Sequence, residues 1–387
     1  MEKVMKLKKW LIEIRRDFHQ YPELGMNEFR TMGQICKYLD EMGIKYKKNI
    51  ANTGIIADIK GEDETFTVAL RADMDALPIQ DNKEVDYASK IQGRCHACGH
   101  DAHMSILLGV AKYFSSEKIK PPYNIRLLFQ PAEETVGGAK PMIEAGALEN
   151  VDLVFGLHMD ENIETGMIGI RYGSMNASSD TLRIKIYGES CHGAYPSKGV
   201  DAIVIAAHTI IGLQSIVSRN LDARESGVIT IGKINAGTAG NIVSDYVELV
   251  GTLRTLNPDV RKRMLKRIDE MVTTLPIAYG GKGEFIREEG YTALVNHERP
   301  VTIVKENAIE LFGPDKVYEK DMANMGVEDF AYFIEEVPGA FFTLGCKNKL
   351  NNNCFPAHNG NFDIDEDSLV YGVMMQIMNI YNGKKYL

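Results

Sequence analysis

Apolar positions in the first half of the chain follow two rhythms that alternate along it. Residues 7–19 and 28–42 repeat with helical spacing, as do 102–114 and, more briefly, 138–145. Between them lie short apolar runs at 54–59, 67–70, 125–129 and 152–157, which read as buried strands. Strand and helix in alternation predict an α/β domain built on a mostly parallel sheet.

From about Ser179 the rhythm changes. Leu182, Ile184 and Ile186 alternate with Thr181, Arg183, Lys185 and Tyr187, the pattern of a strand with one buried face. A helix over 201–218, apolar around most of its circumference, comes next. Strands at 227–234 and 245–253 follow, joined by the Gly-rich stretch 235–240. Asn257-Pro258 opens another helix, Asn as cap and Pro in the first turn, and Val260, Met264, Ile268 and Met271 form its stripe. A last strand covers 284–287. This order is that of a ferredoxin-like α+β domain, inserted at 178–290 into a catalytic α/β domain made of 1–177 and 291–387.

A chain of 387 residues is long enough for two cores, and 44% hydrophobic with 25% charged residues suits a globular protein. The formal charge of -9, with no basic block, argues against nucleic acid or an anionic membrane as partner and in favour of a small molecule. The six cysteines, at 36, 95, 98, 191, 346 and 354, are too sparse for a disulfide framework. No stretch is read as the roughly 20 apolar residues that span a bilayer. The basic opening runs into an amphipathic segment carrying Glu13, Arg15, Arg16 and Asp17, not an apolar signal core, so the expected location is the cytoplasm.

The polar clusters follow strands. Arg71-Ala72-Asp73-Met74-Asp75 comes after 67–70, Gln130-Pro131-Ala132-Glu133-Glu134 after 125–129, and His158 after 152–157. In an open α/β sheet these carboxyl ends share one rim, so the groups can converge. Cys95-His96-Ala97-Cys98-Gly99-His100-Asp101-Ala102-His103 offers two thiols and three imidazoles just before a helix, without zinc-finger spacing. Thiolate, imidazole and carboxylate together suit zinc, cobalt, nickel or manganese. The adjacent Glu133 and Glu134 can divide two tasks, one holding a metal and the other accepting a proton from water.

Taken together, residues 71–78, His96 to Asp101, 130–134, Gly156-Leu157-His158, His192-Gly193-Ala194-Tyr195-Pro196 and Ala357-His358 resemble one family. It is the amidohydrolase branch of the carboxypeptidase G and aminoacylase metallopeptidases, which includes hippurate hydrolases, auxin-conjugate hydrolases and N-acetyl-diaminopimelate deacetylases. The likeness extends from His19-Gln20-Tyr21-Pro22-Glu23 to His358. It implies two divalent metal ions, zinc, manganese, cobalt or nickel, held by Cys98, His100, Glu134, His158 and His358, with Cys98 bridging. A metal-bridging hydroxide, formed with Glu133 as general base, would cut the amide bond of an acetyl-, benzoyl- or related N-acyl amino acid. The inserted domain resembles the family's lid and dimerisation domain, which implies a homodimer or dimer-based oligomer. From it His192 would stabilise the oxyanion, reaching the site of a partner subunit, while Asn241 and Arg254 would hold the substrate's carboxylate. Asp73 or Asp75 would support a ligating histidine.

Read singly, His96 and His103 orient neighbours or face solvent, His208 is exposed, and His19 serves local structure. Cys95 stands where relatives often carry methionine, Cys191 where a small residue is usual, and Ile242-Val243-Ser244 replaces a segment that commonly contains proline. Competing functions are a dipeptidase or carboxypeptidase of the same fold, a thiol hydrolase with Cys98 activated by histidine, and a metal-binding protein without catalysis.

Overall fold

The apolar runs of the first half form the middle of an eight-stranded sheet. In the computed structural model, which describes residues 2–116, 119–347 and 355–385, the strand order is Lys45–Ile50, Gly54–Ile59, Tyr123–Gln130, Asp63–Asp73, Leu153–Glu164, Gly339–Lys347, Ile168–Ile170 and Val317–Glu319. Cys354 lies outside the described residues. The four central strands run parallel, and Lys45–Ile50, Gly54–Ile59 and Ile168–Ile170 add antiparallel pairings. The expected mostly parallel α/β sheet is therefore present.

The strands are longer than their apolar runs because the ladder continues into polar residues. Asp63–Asp73 begins with exposed or half-buried Asp63, Glu64 and Thr65 and only then buries Phe66 to Asp73. Lys45–Ile50 shows no apolar run; its sequence KYKKNI lies at the edge of the sheet, where lysines discourage pairing with another chain. Against the sheet packs the helix His100–Ser116, whose Met104, Ile106, Leu107, Leu108 and Val110 are fully buried. A Cβ on its Gly109 would meet Val373 at 2.6 Å and Leu11 at 2.8 Å, so glycine is what lets helices Lys8–Gln20 and Ser368–Asn382 approach this closely.

The chain folds as two compact units, one of Met1–Gly173, Asn296–Asp321 and Tyr332–Leu387, the other of Ser174–Val295 with Met322–Ala331. In the second unit an antiparallel sheet has the order Gly227–Ala236, Tyr246–Thr255, Ser178–Tyr187, Lys282–Glu289, the ferredoxin-like arrangement. Leu182, Ile184, Ile186, Val247, Leu249 and Leu253 face the helices Ala202–Ser215 and Pro258–Ala278 and form a separate core. Asn257 caps the second helix, its side chain accepting from the Asp259 and Val260 N–H groups.

The first helix of this unit corrects one expectation. The stretch Ala202–Asn220 has 19 residues and a mean hydropathy of 1.5, enough by length and composition to cross a bilayer. Here Ile205, Ala206 and Leu213 enter the unit's core, while Ile203, Val204 and Ile211 are exposed. His208 is exposed too and stacks on Tyr279 with ring centroids 4.9 Å apart.

Candidate metal centre and active site

Sheet register brings the polar clusters of the first unit to one level. Asp73 pairs with Gln130 and Thr343 with His158, so the segments leaving these strands start from a common rim. Asp75, just past the end of its strand, accepts the Glu133 N–H at Oδ1 (3.1 Å) and the Glu134 N–H at Oδ2 (2.9 Å). Its backbone carbonyl accepts from His100 Nδ1 at 2.8 Å. One residue thus fixes both acids and the imidazole that begins the central helix.

The side chains converge. Cys98 Sγ is 3.3 Å from His158 Nε2, and Glu134 Oε1 is 3.1 Å from His358 Nε2 and 3.9 Å from His100 Nε2. Three sets, Cys98 with His100 and His158, Cys98 with Glu134 and His358, and His100 with Glu133 and Glu134, each bring their donor atoms within 4.8 Å of one another. His158 Nδ1 donates to the Met159 carbonyl at 2.7 Å, which leaves Nε2 as the lone-pair nitrogen; His100 Nδ1 donates likewise to the Asp75 carbonyl, so the proton that a metal ion would displace is the one on Nε2. His358 is held by its N–H to the Ala97 carbonyl, 2.8 Å, with a positive φ of 64°.

The electrostatics of this cluster call for cations. Burial opposes a charged His100, yet Asp73, Asp75 and Glu134 raise its pKa to about 10, so the surplus of carboxylates is met by a proton that a metal ion can replace. Burial, helped by Glu134 and Glu133, pushes the Cys98 thiol well up, which makes the thiolate depend on a neighbouring positive charge. Burial also opposes ionisation of Glu134, but His358 and His100 hold it down at about 2. Among the described residues, buried His100 Nε2 makes no hydrogen bond, and Glu134 Oε1 meets the imidazoles of the cluster. A sulfur, three imidazoles and a carboxylate with lone pairs directed at one another fit a centre for borderline divalent ions.

Behind the cluster runs a chain of hydrogen bonds. Arg71 Nη1 donates to Asp73 Oδ2 at 2.6 Å, His103 Nδ1 to Asp73 Oδ1 at 2.6 Å, and the Met159 N–H to His103 Nε2 at 2.9 Å. Burial, ahead of any other influence, lowers the His103 pKa to about 4, so the ring is neutral. His96 and His103 are each about 1% exposed, so the solvent-facing alternative is wrong for both. His103 orients neighbours; neither ring nitrogen of His96 has a partner among the described residues. His19 is buried between Asp101 (2.7 Å) and Asp81 (3.2 Å). Cys95, grouped with His19 and Asp81, lies 3.7 Å from Lys83 Nζ, which also pairs with Asp81 at 3.0 Å. That ammonium already meets the charge there.

Sequence reasoning missed Glu28, buried beneath Ala132, because a lone acid near a helix start reads as a cap.

In the second unit, the short strand Cys191–His192 pairs with Ile242–Val243, setting His192 beside Asn241, whose carbonyl accepts the Gly193 N–H at 2.7 Å. The exposed His192 accepts the Ala194 N–H at Nδ1, 3.1 Å, which leaves the neutral ring's hydrogen on Nε2. Arg254, near the end of Tyr246–Thr255, donates to the Met325 carbonyl at 2.9 Å.

Residues 69–378 match peptidase family M20/M25/M40. The chain is 39% identical over 364 residues to an N-acetyl-L-cysteine deacetylase of Bacillus subtilis, covering 94% of this chain and 86% of that one. It is 35% identical over 375 residues to thermostable carboxypeptidase 1 of Saccharolobus solfataricus, covering 96% and 94%. Among solved structures, the YXEP protein of Bacillus subtilis, described as a dinuclear metal binding peptidase of the M20 family, superposes with a TM-score of 0.86 at 30% identity, covering 99% of this chain and all of that one.

Proposed function

The chain belongs to peptidase family M20/M25/M40 as a metal-dependent amidohydrolase, and from that premise we propose that it hydrolyses the amide bond of small N-acyl amino acids. The carrying observation is the convergence of Cys98, His100, Glu134, His158 and His358, whose donor atoms lie in sets within 4.8 Å of one another. These five residues would hold two divalent ions, and the donor set favours zinc, manganese, cobalt or nickel. When bound, such ions supply Lewis acidity to the scissile carbonyl and acidify the attacking water.

The protein's own groups do the rest. Glu133, 7% exposed and fixed through its N–H by Asp75, takes the proton of the attacking water and returns it to the leaving nitrogen. His192 donates to the developing oxyanion, and Asn241 with Arg254 holds the free carboxylate of the amino-acid half. A homodimer is proposed with this reading, since Ile203, Val204 and Ile211 leave an apolar helix face exposed; sedimentation as a monomer at micromolar concentration contradicts it. Likeness to a carboxypeptidase supports a second reading, in which the acyl group is a peptide.

The test combines metal analysis with Glu133→Gln. Expected are about two equivalents of metal in both proteins and, in the variant, a kcat for acetyl and benzoyl amino acids lower by about 10²–10⁴-fold. Turnover that survives Glu133→Gln or exhaustive chelation defeats the proposal, and faster cleavage of dipeptides than of any acyl amino acid favours the second reading.

A further inference from the structure

Three consecutive backbone amides, those of Ala132, Glu133 and Glu134, donate into two buried carboxylates. Asp75 takes the last two. The first goes to Glu28, whose Oε1 accepts the Ala132 N–H at 2.9 Å while Oε2 accepts the Thr53 hydroxyl at 2.5 Å. Glu28, Thr53 and Ala132 are each 0% exposed.

Glu28 occupies the cap position of the helix Phe29–Met42, where an acidic side chain would ordinarily serve the helix's first amides. It makes no such bond. Glu23 serves them instead, accepting the Arg30 N–H at 3.1 Å and the Thr31 N–H at 2.8 Å. The Glu28 carboxylate is therefore spared by its own helix and directed at a peptide 104 residues away.

That peptide is an unusual one. Ala132 has φ 58°, a left-handed conformation that a residue with a Cβ holds only where its surroundings enforce it. The neighbourhood does so. The Ala132 carbonyl accepts the Gly137 N–H at 3.0 Å, and a Cβ on Gly25 would stand 2.3 Å from Thr135 Oγ1 and 3.1 Å from Ala132 Cα. With φ of residue 132 set, the direction in which Glu133 leaves the main chain is set as well.

We propose that Glu28 is a positioning residue for Glu133: by holding the Ala132 amide it keeps the left-handed turn that aims the neighbouring carboxylate at the scissile bond. The proposal rests on the reading of Glu133 as the base. Its cost when lost falls on catalysis because general-base efficiency depends on placement to within about 1 Å, for which a hundredfold in rate is a typical penalty.

The experiment compares Glu28→Gln, Thr53→Val, Glu133→Gln and the double variant Glu28→Gln/Glu133→Gln on the full chain loaded with metal. Expected for Glu28→Gln are a kcat at least about tenfold lower, a KM within about threefold, and unchanged metal content. Thr53→Val, which leaves the carboxylate but removes one of its anchors, lowers kcat by a smaller factor. In the double variant Glu28→Gln adds nothing to Glu133→Gln, as befits a residue acting through another. Amide exchange at residues 132–134 quickens in Glu28→Gln beyond the change in the central helix. If folded, metal-loaded Glu28→Gln keeps kcat within about twofold, or its 132–134 amides exchange as in the parent, the inference is overturned while the base assignment stands. Turnover in Glu133→Gln removes that assignment, and this inference with it.

Discussion

His103 Nδ1 stands 2.6 Å from Asp73 Oδ1, and this contact joins the end of one strand to the backbone of another. On its far side the ring accepts the Met159 N–H at 2.9 Å, next to His158. Protonation is thereby determined: Nδ1 carries the hydrogen and Nε2 the lone pair, so the ring is a neutral strut between an anion and an amide.

Replacing that strut should loosen the metal centre without touching a donor atom. His103→Ala leaves the Met159 N–H without its partner and frees His158 to shift against Cys98, 3.3 Å away. Support of this kind is worth about 10- to 100-fold in metal affinity. Chelator competition measures it, and an unchanged dissociation constant would show that His103 serves packing alone.

Metal removal should cost stability as well as activity. His100 stands among Asp73, Asp75 and Glu134, and Cys98 is pushed toward its thiol form, so the folded state gains from ions that the unfolded chain holds poorly. Ions present at a hundred times their dissociation constant add about 2.7 kcal/mol, or a Tm shift of about 5–10 °C for a unit of this size. Differential scanning calorimetry with and without a chelator checks this; coincident transitions would mean that the cluster binds nothing.

The main sheet was legible because its four parallel strands are buried over most of their length, and stretches such as Val68 to Leu70 or Leu127 to Phe129 are then apolar throughout. That Glu133, Glu134 and His158 share one rim followed from their strand-end positions, whereas the full set of Cys98, His100, Glu134, His158 and His358 rested on the family resemblance, because a loop histidine such as His358 carries no positional signal of its own. Lys45–Ile50 was hidden because an edge strand buries too little to carry a pattern. Glu28 and His103 were hidden for a different reason: each acts through a backbone amide distant in sequence, Ala132 or Met159, and an amide leaves no mark on the residue types that reveal side-chain chemistry. The helix 202–220 shows the converse, since its composition suits a membrane, a second chain or a small core equally.

Stability should fall from neutral to alkaline pH through His19. Burial opposes its charge, but Asp101 and Asp81 raise its pKa from 6.5 to about 10. A proton held in the folded state and lost near 6.5 in the unfolded chain stabilises fully below about 6.5 and progressively less as pH climbs to about 10. His19→Gln lacks this contribution. The stability gap between parent and variant, measured by urea unfolding, should therefore be largest at pH 6–7 and shrink toward pH 10. A gap that stays constant across this range excludes a protonated His19.

Arg254 tests the substrate reading from the other unit. Its Nη1 donates to the Met325 carbonyl, which sets the plane of the guanidinium while, among the described residues, its remaining donors form no hydrogen bond. A planar fork so oriented matches a carboxylate and is poorly imitated by an ammonium. A hydrogen bond to a charged group is worth about 1.5–3 kcal/mol, so Arg254→Ala should raise KM for an acetyl amino acid by about 10- to 150-fold. Against the corresponding amino-acid amide, which offers no anion, parent and variant should differ by less than about threefold, and Arg254→Lys should fall between. Steady-state kinetics on this substrate pair decides the matter: an equal loss on acid and amide would mean that Arg254 shapes its own unit through Met325, and that the substrate's carboxylate is held elsewhere.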